Sequence, residues 1–148
     1  MRKIEHIGIA VEDLEAANEI YSKLLNTQSY KTEKVKSEGV DTSFFKVGES
    51  KIELLAATNE DSAIAKFIAK RGEGIHHIAF DVEDIEAEMQ RLQEEGFQLI
   101  SKKPKKGADN KLVAFLHPKS SNGVLVELCQ EIKKEPEPLP EGEEVWDS

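Results

Sequence analysis

Residues 4–16, IEHIGIAVEDLEA, recur at a constant offset of 71 as residues 75–87, IHHIAFDVEDIEA, with eight of thirteen positions identical. Such self-similarity marks two copies of one supersecondary unit, neither of which buries its apolar face alone. Each copy opens with β-branched residues alternating with small or polar ones, the period of a strand. Each then passes through Val-Glu-Asp, where Asp13 or Asp84 can accept the free N–H groups of a helix's first turn. Leu14, Ala17, Tyr21 and Leu24 recur at helical spacing in the first copy, and Ile85, Met89 and Leu92 in the second, with Asn26 and Gly96 as stops. Three strand-like runs follow each helix, near 28–35, 41–47 and 51–56, and near 97–101, 111–116 and 123–130. A third helix over 61–71 starts at Asp61 or Ser62, buries Ile64, Phe67 and Ile68, stops at Gly72 and joins the halves. The predicted fold class is α+β: two paired βαβββ modules, 2–58 and 74–131, in a body of residues 2–131.

Alternation assigns faces. Ile7, Ile9 and Val11 point toward a helix, and His6, Gly8 and Ala10 away from it, the small residues leaving room beside the imidazole. In the second copy Ile78, Phe80 and Val82 face a helix while His77, Ala79 and Asp81 face the other side. Glu53 in Ile-Glu-Leu and Glu127 in Val-Glu-Leu interrupt apolar strands, and burying such an acid is costly unless its charge is compensated. If the modules pair about a pseudo-twofold axis, His6, Glu53, His77 and Glu127 can converge. Two imidazoles and two carboxylates suit a divalent first-row ion such as Zn, Co, Ni, Mn or Fe. Four ligands on an octahedral ion leave two positions open for water or a chelating substrate.

Other polar residues carry weaker signals. His76 reads as a packing residue or a hydrogen-bond partner behind a ligand. His117, at a strand-to-loop boundary, either lines a cavity or caps the loop. Cys129 alternates in phase with Glu127 and reads best as a small buried filler. Lys102, Lys103, Lys105 and Lys106 form a solvated face unless the substrate carries phosphate.

Composition removes whole classes of function. With 29 acids against 20 Lys and Arg, the chain lacks the cationic excess that nucleic-acid binding needs. One cysteine among 148 residues excludes an internal disulfide framework and fits a reducing, cytoplasmic setting. No apolar run reaches the length of a membrane span, and the N-terminus leads into a strand instead of a signal peptide. Residues 132–148, IKKEPEPLPEGEEVWDS, hold four of the nine net negative charges and three of the five prolines, the composition of a flexible acidic tail with Trp146 as its one docking group.

The modules resemble the vicinal oxygen chelate superfamily, which includes glyoxalase I, extradiol dioxygenases and antibiotic-resistance binders. Within it they look most like the methylmalonyl-CoA epimerase family. The resemblance covers residues 3–131 and rests on HIGIAV from His6, KIELL from Lys51, AIAKFI from Ala63, RGEGIHHIAF from Arg71, VAFLHPK from Val113 and GVLVEL from Gly123. It implies a metal at His6, Glu53, His77 and Glu127, with Co2+ first and Zn2+, Ni2+ or Mn2+ as alternatives. It implies interconversion of the R and S forms of an acyl-CoA thioester, methylmalonyl-CoA, through an enolate stabilised by the ion acting as a Lewis acid. Inversion needs a base on one face and an acid on the other; Glu127 matches the first position, and Glu38, in KSEGV, stands nearest the second. The loop Gly107-Ala108-Asp109-Asn110 departs from the family's usual Gly-Ala-His-Gly. A homodimer is implied as well. The competing readings are a glyoxalase-type lactoylglutathione lyase and a non-catalytic ligand binder; an oxygenase fits less well, because Glu53 adds a fourth ligand to a two-His, one-carboxylate set.

Overall fold

The structure is a computed structural model and describes residues 1–132. Its elements run β1 (Lys3–Ala10), α1 (Leu14–Leu25), β2 (Lys31–Val35), β3 (Val40–Val47), β4 (Ser50–Ala57), α2 (Ala63–Arg71), β5 (Gly74–Asp81), α3 (Ile85–Glu94), β6 (Lys105–Lys106), β7 (Lys111–Leu116) and β8 (Val126–Glu131), with short 3-10 turns at 36–38, 108–110 and 118–120. The strands form one eight-stranded sheet in the order β2-β3-β4-β1-β5-β8-β7-β6. Reading outward from the centre, the order repeats itself. β1 pairs parallel with β4 and β5 parallel with β8, while β1 and β5 meet antiparallel at the pseudo-twofold axis. The repeat at offset 71 is thus a structural repeat, and the predicted α+β class holds.

The helix starts follow their local chemistry. The carboxylates of Asp13 and Asp84 accept from the backbone N–H of Ala16 and Ala87, and the Ser62 hydroxyl from that of Ala65. The linking helix begins at Ala63, two residues after the expected start, because Ser62 is its cap. Asn26 ends α1 in the left-handed conformation, a geometry Asn tolerates. Each half has its own core on the outer face. Val11, Ala17, Phe45 and Leu54 pack beneath α1; Val82, Ile85, Met89, Leu92 and Leu128 pack beneath α3. Each fully buried aliphatic contributes about 1.5–3 kcal/mol. α2 lies against the other face, packing Ile64 on Ala10, Val40 and Leu55.

Three expectations differ in detail. Leu25, not Leu24, packs into the first core, and Leu24 is left 69% exposed at the last turn. The run near 97–101 makes a single bridge, Leu99 to Leu116, and the edge pairing falls instead to β6, Lys105 and Lys106. The intervening Pro104 lacks the N–H a continuing ladder requires. The central ladder also carries two bulges. Pairing steps from Ile4–Phe80 to His6–Ala79, skipping Glu5, and from Gly8–His77 to Ile9–Ile75, skipping His76. The tail reading lies outside the described residues, apart from Ile132. Among the described residues no helix is long and apolar enough to cross a membrane.

Candidate metal centre and active site

The sheet curls the face opposite α1 and α3 around a cavity lined by residues of both halves, among them His6, Glu53, His77 and Glu127. Strand alternation brings these four inward, one each from β1, β4, β5 and β8. All four are buried, between 3% and 6% exposed. The Nε2 atoms of His6 and His77 lie 3.0 Å apart, with the ring planes near perpendicular at 86°. Glu127 Oε2 is 3.4 Å from His6 Nε2, and its Oε1 is 3.6 Å from His77 Nε2. Glu53 Oε2 is 3.5 Å from His6 Nε2. His6, His77 and Glu127 offer ligand atoms all within 4.8 Å of one another, a set that could hold a metal ion, and Glu53 stands directly beside it.

Room for this cluster comes from Gly8. It pairs with His77 across the central ladder, and a Cβ at that position would collide with the His77 ring. The electrostatics are those of a buried, acid-rich centre. Burial pushes the Glu53 carboxyl up to about 7, against the pull of His6, and burial likewise raises Glu127. Burial alone would lower His6, but Glu5, Glu53 and Glu127 overcome it and hold the imidazole up at about 9. His77 is driven well down by burial and by its neighbour His6. The donor set, two imidazoles and two buried carboxylates with no lysine or arginine among them, fits a divalent cation, which would neutralise both acids at once.

The surroundings assign the remaining candidates. Cys129, fully buried, donates its S–H to Glu127 Oε2 at 2.7 Å. Glu38 lines the same cavity, but it sits in an exposed 3-10 turn, 2.6 Å from Lys105 Nζ. His117 caps the turn 118–120, its Nδ1 accepting from the N–H of Lys119, and does not line this cavity. Lys102, Lys103 and Lys106 are exposed.

Behind the cluster runs a polar chain, of which sequence reasoning had found only His76, read as packing or as a hydrogen-bond partner behind a ligand. Glu5, only 3% exposed, lies 3.6 Å from His6 Nδ1 and 3.0 Å from Lys51 Nζ. Lys51 reaches Asp109 at 2.8 Å, and Asp109 holds Lys31, also at 2.8 Å. His76 Nδ1 lies 3.0 Å from His77 Nδ1. For the rest, the one sequence signal was the departure of Asp109 from the usual loop; strict alternation would have turned Glu5 away.

Comparison with known proteins identifies the family. The model of the Glyoxalase/Bleomycin resistance protein/Dioxygenase superfamily matches residues 5–115. The ethylmalonyl-CoA/methylmalonyl-CoA epimerase of Cereibacter sphaeroides is 45% identical over 86% of this chain and 97% of its own. A Streptomyces coelicolor methylmalonyl-CoA epimerase, solved in complex with 2-nitronate-propionyl-CoA, superposes with a TM-score of 0.86 at 37% identity, covering 90% of this chain and 99% of that one. The Mycobacterium tuberculosis methylmalonyl-CoA epimerase structure gives 0.84 at 35% identity over 88% and 89%. The chain belongs to the glyoxalase/bleomycin resistance protein/dioxygenase superfamily and, within it, to the methylmalonyl-CoA epimerase family.

Proposed function

We propose that this chain is a metal-dependent epimerase that interconverts the R and S forms of methylmalonyl-CoA, with His6, Glu53, His77 and Glu127 as metal ligands. The observation that carries the reading is the convergence of those four buried side chains in a chain 45% identical to a named ethylmalonyl-CoA/methylmalonyl-CoA epimerase. The carbon between a thioester and a carboxylate releases its proton only when the developing enolate is stabilised. A divalent ion at this centre would supply that stabilisation as a Lewis acid.

The chain's own residues do the rest. Glu127 sits at the floor of the cavity with one oxygen held by the Cys129 thiol, so its orientation is fixed while its basicity is raised by burial. A carboxylate so placed takes the proton from one face of the substrate. Glu38, which lines the same cavity, gives or takes it on the other, after exchanging Lys105 for the substrate. The apolar wall of Val40, Leu55, Ile64 and Phe115 excludes water from the planar intermediate. Cobalt is the ion proposed, a homodimer the assembly, and the cytoplasm the compartment.

Incubation of the Co2+-loaded protein with one epimer in D2O tests the reading: deuterium should enter the central carbon as the epimers equilibrate. Glu127→Gln should slow both by about 100- to 10,000-fold, the usual worth of a general base. Glu38→Gln should keep solvent exchange from one epimer while losing inversion. No exchange by the parent protein overturns the reading. Reloading the metal-free protein with each ion in turn identifies the metal, and light scattering gives the assembly, for which a monomer mass would overturn the dimer.

A further inference from the structure

The repeat equates Glu5 with His76 as well as His6 with His77, since both pairs stand 71 residues apart. Residues 5 and 76 are also the two positions skipped in the central ladder. In an uninterrupted strand, each would point away from the histidine that follows it. A bulge adds one residue and re-aims its side chain. Here it turns the residue before each histidine toward that histidine's ring. Glu5 Oε1 thereby faces His6 Nδ1 at 3.6 Å, and His76 Nδ1 meets His77 Nδ1 at 3.0 Å. In both rings the other nitrogen, Nε2, faces the shared centre.

We propose that Glu5 and His76 are positioning residues that fix the tautomer and ring orientation of His6 and His77, and that the paired bulges exist to place them. The inference rests on the metal reading above. An imidazole that ligates through Nε2 carries its proton on Nδ1, and an acceptor there holds the ring in that tautomer. The Glu5 carboxylate faces that N–H on one side at ion-pair distance, 3.6 Å, and His76 Nδ1 meets it at hydrogen-bond distance on the other, 3.0 Å. The two supports are chemically unequal. Glu5 is an anion anchored by Lys51, which Asp109 and Lys31 in turn tie to the loop 107–110. His76 is a neutral ring wedged edge-on against Phe67 of α2, with centroids 5.0 Å apart. One half of the site is thus braced through the 107–110 loop, the other through the linking helix.

Calorimetric titration of the metal-free protein with Co2+, alongside the visible spectrum of the Co2+ form and the melting temperature of the metal-free form, tests this. Glu5→Leu leaves Lys51 its Asp109 partner, and His76→Phe keeps the packing on Phe67; both remove the acceptor. Each should weaken Co2+ binding about 10- to 100-fold, the usual cost of losing such a partner, and alter the spectrum. Glu5→Gln and His76→Gln, which return an acceptor, should recover most of the affinity. A Kd within twofold of the parent for Glu5→Leu or His76→Phe overturns the role of that residue. A lowered melting temperature with unchanged affinity does the same, since it reveals a merely structural part. A parent protein that binds no Co2+ overturns the metal reading and this inference with it; a parent that binds with unaffected variants overturns the inference alone.

Discussion

At the level of single residues, the site depends on one missing methyl group. Gly8 faces His77 across the ladder, and any Cβ there enters the volume of the ring. Gly8→Ala should therefore destabilise the fold by about 1–3 kcal/mol, as overpacking of a filled interior does, and displace His77 from the cluster. Chemical denaturation and Co2+ titration together check this; a variant with unchanged affinity would show that His77 is not held where the structure places it. This position was legible in the sequence, because alternation puts a small residue beside His6 on the same face. The convergence of His6, Glu53, His77 and Glu127 was legible for the same reason, since period-two patterning and duplication are both written in the chain. Glu5 was not, and for His76 a role behind a ligand was legible but its direction was not. Their orientation depends on two ladder irregularities that no periodic rule contains; Gly8 and Gly74 in the two bulged strands mark irregular backbone but do not say which residue is skipped. Lys51 and Asp109 were hidden differently: they are 58 residues apart, and only the folded sheet brings the loop onto β4.

Among the elements, the 107–110 loop makes the sharpest prediction. Asp109 and Asn110 both take left-handed backbone angles, with φ of 58° and 54°, and the loop is held by Asp109. Burial tends to raise the Asp109 carboxyl, but hydrogen bonds from Lys31 and Lys51 outweigh it and hold it below its usual value. A carboxyl depressed in the fold stabilises the fold above its unfolded pKa, about 3.9, and loses that contribution as the pH falls through the lower folded value. Asp109→Asn keeps the backbone geometry, which Asn tolerates, and removes only the charge. It should cost about 1 kcal/mol at neutral pH, a charge-assisted bond discounted for partial exposure. The gap from the parent should close below about pH 4. Urea denaturation at several pH values measures it, and a gap that persists unchanged at pH 3 would refute the assignment. The same scale shows where patterning misjudged boundaries. Leu24 and Leu25 are one helical step apart, 100° of rotation, so the 3.6-residue period selects a face but not which of two adjacent leucines completes it. The expected strand at 97–101 has the right residues but little to pair with, since β7 gives its edge mainly to β6.

Across the whole molecule, the two halves own separate cores but share one polar centre. Each contributes one histidine and one glutamate, and among the described residues the sheet joins them at β1 and β5. Burying Glu53 and Glu127 side by side works against the fold, as the rise of Glu53 to about 7 under burial reflects. A ligand that binds the folded state alone repays this by mass action: about 2.7 kcal/mol when its free concentration is a hundred times its Kd. For a chain of this size that is roughly a 10 °C rise in melting temperature. Glu53→Leu separates the two effects. Replacing a buried acid by an apolar side chain of similar volume should leave the metal-free protein as stable as the parent or more so, by about 1 kcal/mol. The same change should erase most of the increment from Co2+, because the centre loses a ligand. Paired melting curves with and without Co2+ decide the matter. If Glu53→Leu melts lower without metal and still gains the full increment with it, then Glu53 serves packing, not the ion. The opposite pair of shifts would mean that this fold gives up stability at its centre to keep a binding site there, and recovers it only when the two halves close on the same ion.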